Sequence, residues 1–424
     1  MIKLNQTRLE FLRSTSLLGV GSITSQLILI LASPVFTRIF SKAEFAEFAL
    51  FSAIVGCFGS IICARLDLSI VIAKRLADSK RLLGMSLFMT VVISTIGLLM
   101  AVLVKFYFSN FKSVEILSVY IYLIPIALTF YGGAQAFISY CNRINAYKEI
   151  ITYKIFLSVF TVSSCIFFGY YNLGNGLIGG VVSSLFFSVT YFFYIYKNLI
   201  PGNIFAWDKK RFLLAKKYKN IVKYSIPTAI IDNITVSLPI FFLTNYFSDN
   251  IVGNYALMIR IAQSPISIIS QAVSQVSIKK ISDIVHQGIS PLRYIINLGA
   301  FLLVLISPIA LIVWLYAPKL FSIFFGPQWA ASGEYLQILI FSLVFRSIIS
   351  VLSGALIPTG HVKLCSIWQV LYFCATIVLY YLTAPNLEII SFIYVMMYAD
   401  ILLYSIYLLI IMYGSRNPLT FTVK

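Results

Sequence analysis

The sequence predicts an all-α integral membrane protein of twelve transmembrane helices arranged as two six-helix lobes. Three of its features predict this. Hydrophobic residues make up 60% of the chain and charged residues 11%, against about 25% charge in an ordinary soluble domain. Apolar runs of about 20 residues, enough to cross roughly 30 Å of hydrocarbon, recur from end to end. The stretch "TRIFSKAEFAEFAL" from Thr37 is echoed by "TNYFSDNIVGNYAL" from Thr244, about half a chain later, with Thr, Phe, Ser, Ala and Leu in register.

The elements follow in order, each bounded by charge gaps and Gly/Pro clusters. A basic opening (Lys3, Arg8, Arg13) leads into span 15–37. That span is too long for a signal-peptide core and lacks a small-residue cleavage site, so it is expected to remain in the mature protein. Arg38 and Lys42 sit in a short outer loop before span 46–64, which returns to a basic inner segment with Arg65, Lys74, Arg75, Lys80 and Arg81. Spans 84–104 and 117–139 enclose Lys105 and Lys112 outside. Arg143, Lys148 and Lys154 mark the inner turn before span 151–171, and span 176–196 completes the first half. The longest polar break, Lys197 to Lys223 with "WDKKRFLLAKKYK", reads as a basic amphipathic cytoplasmic linker. The second half comprises spans 224–246, 252–276, 294–316, 333–357, 365–384 and 388–412. Its inner segments carry Lys279, Lys280, Arg293, Lys363, Arg416 and Lys424, and its longest outer loop, 317–332, carries only Lys319. The expected domains are residues 1–196, the linker 197–223 and residues 224–424.

Of the 32 Lys and Arg, only Arg38, Lys42, Lys105, Lys112 and Lys319 fall outside and only Arg260 and Arg346 fall deep within spans. The positive-inside rule therefore puts both termini in the cytoplasm. The net charge of +18 is an orientation signal and a contact for anionic membrane lipids, not a nucleic-acid surface.

Polar residues inside the spans form stripes. Arg260, Ser264, Ser267, Gln271 and Ser274 share one face of span 252–276, because spacings of four and three keep to one side of a helix. Ser225, Thr228, Asp232 and Thr235 do the same in 224–246; Thr15, Gly19, Ser22, Gln26 and Ser33 in 15–37; Ser342, Arg346, Ser350 and Ser353 in 333–357. Small hydroxyl residues serve as helix-packing contacts that hydrogen-bond across an interface. Ionised groups favour a different reading, since lipid cannot satisfy them and each costs about 2.5 to 3.5 kcal/mol at a helix centre. They are expected to meet each other or water. Arg346 and Asp400 read either as a buried structural pair or as functional charges. Arg65 and Asp67, in "ARLDLSIVIAK", either snorkel to the interface or line a polar cavity. Asp232 lies about 12 Å from the inner end of its span and Arg260 about 12 Å from the outer end of the next, so the two are able to approach at mid-membrane.

Other chemistries find little support. His286 and His361 fall in cytoplasmic loops, and no Ser/His/Asp set, metal cluster, Walker loop or G-x-G-x-x-G motif stands out, so no cofactor is expected and ATP-driven transport and hydrolysis are disfavoured. The six cysteines, Cys57, Cys63, Cys141, Cys165, Cys365 and Cys374, contain no C-x-x-C pair and read as small buried hydrophobes. Pro34, Pro125, Pro227, Pro239, Pro265 and Pro308 lie within or at the ends of spans, where each permits a kink, static or mobile. The 27 Tyr and 35 Phe read mostly as interfacial belts.

Specific stretches carry a family resemblance. "TRIFSKAEFAEFALFSAIVGCFGSIICARLDLSIVIAK" resembles the N-terminal signature of Wzx-type polysaccharide (O-antigen) flippases, with an Arg at the end of helix one and an R-L-acidic motif closing helix two. "SIPTAIIDNITVSLPIFFLTNYFSDNIVGNYALMIRIAQSPISIISQAVSQV" looks like the opening of the second half, and "LFSIFFGPQWAASGEYLQIL" is similar to the outer loop before helix ten. The resemblance implies the fold of the multidrug/oligosaccharidyl-lipid/polysaccharide exporter superfamily, twelve helices in two lobes around a central cavity. It also implies a flippase, not an enzyme, moving undecaprenyl-diphosphate-linked oligosaccharide from the cytoplasmic to the periplasmic leaflet of the bacterial inner membrane. A polysaccharide polymerase and a chain-length regulator are the implied partners. In a relative, the peptidoglycan lipid II flippase, an R-I-x-Q-x-P-like segment of helix eight lines a cationic cavity. "RIAQSP", Arg260 to Pro265, is similar to it. The expected substrate cations are Arg260, Arg38, Arg65 and Arg346; Gln26, Ser22, Asn233, Gln263 and Gln271 are expected to line the cavity, and Asp232, Asp400 and Asp67 to couple an ion. A drug or metabolite antiporter of the same fold predicts a carboxylate in helix one, which span 15–37 lacks. A membrane glycan polymerase or ligase predicts a large outer loop with catalytic Arg or His, which is also missing.

Overall fold

A computed structural model describes residues 2–108, 111–197, 209–416 and 418, without the side chains of residues 2–18, 267–269, 271, 272, 275 and 276. The described residues are almost wholly helical. In order come α1 (Ile2–Ile39), α2 (Lys42–Gly59), α3 (Leu66–Ile72), α4 (Leu76–Tyr107), α5 (Lys112–Leu117), α6 (Leu123–Arg143), α7 (Tyr147–Tyr170) and α8 (Gly176–Tyr196). They are followed by α9 (Lys209–Tyr246), α10 (Asp249–His286), α11 (Leu292–Phe325), α12 (Ala330–Ser353), α13 (Val362–Thr383) and α14 (Ile389–Arg416). Twelve of these are long, and α3 and α5 are short connectors. Ten of the long helices contain a stretch long and apolar enough to cross a membrane by length and composition. α2, with Lys42, Glu44 and Glu47 in its 18 residues, and the polar-striped α10 are not among them.

By packing, the chain divides into two compact units, Met1–Asn245 and Tyr246–Lys424. In the first, α4 lies on α6, α6 on α8, α2 on α6 and α7 on α8, while α1 lies along α7. In the second, α11 lies on α12, α12 on α14, α10 on α12 and α13 on α14. The α4–α6, α6–α8, α2–α6 and α7–α8 packings recur at the matching positions as α11–α12, α12–α14, α10–α12 and α13–α14, whereas the α1–α7 packing has no counterpart among these pairs. α9 belongs to the first unit: its Ser237 hydroxyl accepts from Cys57 Sγ of α2 at 3.6 Å and donates to the Ala53 carbonyl at 3.5 Å.

The two copies of the repeat adopt one local conformation. Each ends a helix, bends at a Phe, and starts the next helix from a Ser with extended backbone: Ser41 at φ −73°, ψ 165° and Ser248 at φ −74°, ψ 156°. Ser41 closes a capping box with Glu44, satisfying free amides of the first turn. Residue 251 is Ile, which cannot close such a box, and Ser248 makes no side-chain cap bond. The bend phenylalanines dock alike. Phe40 packs where a Cβ on Gly176, at the start of α8, would come within 2.8 Å of its ring. Phe247 packs on Phe392 in the first turn of α14, with ring centroids 5.5 Å apart.

A small-residue seam brings α7 and α8 close together. Gly176, Gly180 and Ser184 recur every fourth residue and so share one face of α8. A Cβ on Gly180 would lie 2.8 Å from the Cα of Cys165, and the Thr161 hydroxyl donates to Ser184 Oγ at 2.9 Å. Backbones this close are the geometry that small-x-x-x-small spacing permits.

Several expectations need correction. The helix of span 46–64 stops at Gly59, and a turn through Ala64 (φ 49°) and Arg65 (φ 58°) leads into α3. Span 117–139 begins in a tight turn, Ser118–Tyr122, and becomes α-helical only at Leu123. Basic residues from Lys209 to Lys223 continue into α9 without a break; residues 198–208 of the expected linker lie outside the described residues. Pro125 is the third residue of α6, where the amides have no intrahelical partner to lose. Pro34, Pro227, Pro239, Pro265 and Pro308 do lie inside helices. Most stripe hydroxyls bond their own backbone instead of a neighbouring helix: Ser33 to Leu29, Thr228 to Tyr224, Thr235 to Ile231, Ser264 to Arg260 and Ser342 to Leu339. A local carbonyl three or four residues back is always within reach of Ser or Thr, so it competes well with a distant partner.

Candidate functional site

The best-defined polar centre lies in the Tyr246–Lys424 unit, where mid-helix positions of α12, α13 and α14 meet. Tyr372 of α13 donates to Asp400 Oδ1 of α14 at 2.6 Å. Arg346 Nη1 of α12 lies 3.5 Å from the Tyr372 hydroxyl and 3.9 Å from Asp400 Oδ2. The guanidinium also sits over the Tyr372 and Tyr404 rings, 5.8 and 5.6 Å from their centroids. Behind it, Trp368 stacks between Tyr372, at 5.1 Å, and Tyr407, at 3.8 Å, and its indole N–H donates to the Leu403 carbonyl. Helical spacing explains the cluster: Trp368, Tyr372 and Tyr380 fall at steps of four and eight on α13, so all three share a face. All three are buried. These buried aromatics are not part of an interfacial belt.

Arg346 and Asp400 are thus paired, though loosely, with the tyrosine hydroxyl as the tighter link. Asp400 is buried, while the Arg346 side chain keeps 29% of its surface accessible. Two tyrosine faces and one carboxylate hold one edge of the planar guanidinium. Among the described residues Nε and Nη2 carry no hydrogen bond, which leaves an oriented pair of donors for an anion. On the α11 side of α12, an apolar cavity of about 450 Å³ opens between α11, α12 and α14, walled by Leu303, Ala310, Phe341, Phe345 and Ile401. Among the residues that line it, Ser307 alone is polar.

The remaining expected residues with described side chains lie on α1, α9 and α10 and around the start of α3. Arg260 is half-buried on α10, Arg38 is exposed in the last turn of α1, and Asp232 and Gln263 are exposed on α9 and α10. Asn233 spends an amide proton on the Ala229 carbonyl at 2.8 Å. Gln26 is half-buried on α1. The Gln271 side chain lies outside the described residues. Asp67 is 2% exposed and therefore packed inside the first unit, not placed at a water interface. Its Oδ2 accepts from Gln135 of α6 at 3.3 Å, while Asp67 Oδ1 and Arg65 Nε are buried without a described partner. Ser22 receives a hydrogen bond from Lys154 of α7 at 2.7 Å. Lys154 was expected to mark only an inner turn, and nothing in its local sequence sets it apart from the other basic residues of that segment.

A family profile described as "Polysaccharide biosynthesis protein" matches residues 35–334, well over half of the chain. The chain belongs to the polysaccharide biosynthesis protein family. No curated protein matches it by sequence. Among solved structures, this family member is similar to the lipid II flippase MurJ in an inward closed conformation. The TM-score is 0.73 at 16% identity, over 93% of this chain and 87% of that one. It is also similar to an inward-facing multidrug resistance MATE transporter of the MOP superfamily, with TM-score 0.70, 13% identity, and coverage of 95% and 100%. The MATE multidrug transporter DinF-BH gives TM-score 0.67 at 16% identity, over 95% and 96%. At these identities the likenesses show the fold alone, the MOP-type fold of two six-helix lobes. Family and fold together make this polysaccharide biosynthesis protein a multi-pass membrane protein with a MOP-type fold.

Proposed function

We propose that this protein is a flippase. It carries an oligosaccharide linked to undecaprenyl diphosphate, an O-antigen or related surface-polysaccharide unit, from the cytoplasmic to the periplasmic leaflet of the bacterial inner membrane. It works by alternating access, coupled to an ion, with both termini in the cytoplasm and a polysaccharide polymerase and chain-length regulator acting downstream. The observation that carries the proposal is the Arg346 centre. A lipid-linked oligosaccharide brings an anionic diphosphate into the membrane, and a guanidinium fixed by Asp400 and two tyrosine faces, with one edge open, is shaped to receive it. Arg260, Arg38 and Arg65 are the further cations this reading assigns to the substrate. Asp400, Asp67 and Asp232 are the carboxylates through which an ion would couple. The catalytic reading stays disfavoured because moving such a lipid makes and breaks no bond. A drug antiporter of the same fold is the second reading, favoured by the MATE neighbours; the described residues 19–39 of α1 contain no carboxylate for it.

Deleting the gene is the direct test. Lipid-linked oligosaccharide should accumulate on the cytoplasmic face and surface glycan should fall; normal surface glycan, in a strain with no redundant flippase, sinks the proposal. Arg346→Ala and Arg260→Ala should each reach the membrane and fail to restore glycan display. Full complementation by either variant removes that residue from the mechanism.

A further inference from the structure

Lys154 is the eighth residue of α7, roughly 10 Å along the helix from Tyr147. Its ammonium donates to the Ser22 hydroxyl of α1 at 2.7 Å. The two helices are close at this level, since a Cβ on Gly21 would come within 2.7 Å of Ile151. Among the described residues the ion pairs are Arg81–Asp78 and Arg346–Asp400, so no carboxylate lies within 4.0 Å of Lys154. A charged group inside a membrane helix normally meets an opposite charge or water. Among the described residues the partner of Lys154 is a hydroxyl.

A purely structural link does not need the charge. One helix pair away, α7 and α8 are joined by the uncharged Thr161–Ser184 bond and the Gly180 contact. The donor inventory is more telling. A lysine ammonium has three protons and a serine hydroxyl one; one ammonium proton goes to Ser22, and the hydroxyl proton of Ser22 has no described acceptor. Both side chains are half-buried, so the group is not sealed from a ligand. Three free donors around one positive charge match the oxygens of a phosphate.

We propose that Lys154 and Ser22 form an anion site for the phosphate groups of a polyprenyl diphosphate, built within the Met1–Asn245 unit from residues other than those of the Arg346 centre. It rests on the flippase reading for its ligand. A lysine suits it because an ammonium on a flexible stem can stay bonded while a phosphate shifts, where a guanidinium fork imposes one geometry.

The test titrates the purified full-length protein in nanodiscs with undecaprenyl diphosphate and, separately, with uncharged undecaprenol. Lys154→Met should weaken diphosphate binding about ten- to a hundredfold, the range of a lost charge-assisted contact, and leave undecaprenol binding unchanged. Lys154→Arg should retain most of the affinity, and Ser22→Ala, which keeps the charge, should lose only a few-fold. Unchanged diphosphate binding by Lys154→Met overturns the site. Equal weakening for both lipids overturns it as well, because that outcome marks a structural tie. Wild-type protein that fails to prefer the diphosphate overturns the flippase reading and the site together, whereas a wild-type preference that survives Lys154→Met overturns the site alone.

Discussion

At the scale of single residues, the centre of interest is how a buried carboxylate is kept satisfied. Asp400 depends on Tyr372 more than on Arg346: one bond is 2.6 Å and hydroxyl-donated, the other contact 3.9 Å. Tyr372→Phe should therefore destabilise the protein by about 1.5 to 3 kcal/mol, the range for a hydrogen bond to a charged group, and lower its apparent melting temperature in detergent. Arg346→Lys preserves the charge but not the planar stacking on Tyr372 and Tyr404. It should melt close to wild type while surface-glycan complementation drops clearly. If Tyr372→Phe melts like wild type, the tyrosine is not what holds Asp400. The Arg346 and Asp400 positions were legible in the sequence because charges in apolar runs stand out. Tyr372 was not, because one tyrosine among 27 gains meaning only from what lies across the helix.

At the scale of elements, the duplicated stretch gives two helix starts with one backbone and different side-chain chemistry. Ser41 caps α2 through a full capping box and Ser248 makes no side-chain cap bond to α10. Ser41→Ala should then cost about 1 kcal/mol, seen as a lowered melting temperature, and Ser248→Ala measurably less; equal losses would contradict the difference in capping. The α7–α8 seam makes a stronger claim. Gly180→Leu forces a side chain against the Cys165 backbone, which cannot yield as a rotamer can, and should prevent stable accumulation in the membrane, as read by quantitative immunoblot. Hydropathy located these helices well but not their ends. Charged residues cost a helix nothing once it leaves the bilayer, so Lys209 to Lys223 look like a linker by composition yet form the start of α9. The end of α2 was misplaced for the converse reason: the turn at Ser60–Arg65 is as apolar as the helix before it.

At the scale of the whole molecule, the charge distribution predicts an orientation that labelling can check. In a variant lacking the six native cysteines, a cysteine at Asn172 or Asn386, in the turns after α7 and α13, should react with an impermeant maleimide from the periplasmic side. One at Asn145, before α7, should not. The opposite pattern would invert the topology and with it the proposed direction of transport.

By itself the sequence determined the class of the protein, the number of its spans, their grouping into two similar halves and the candidate charges. Each of these depends on composition or on spacing along one chain, and a bilayer of fixed thickness imposes both. Only the tertiary structure decided which polar groups meet. Arg346, Tyr372 and Asp400 come from three helices, and Lys154 finds Ser22 more than a hundred residues away. The stripe hydroxyls, legible as a pattern, mostly turned back to their own carbonyls. Periodicity tells which face of a helix is polar; what that face touches is set by how helices cross and how closely small residues let them approach, and no single helix carries that information.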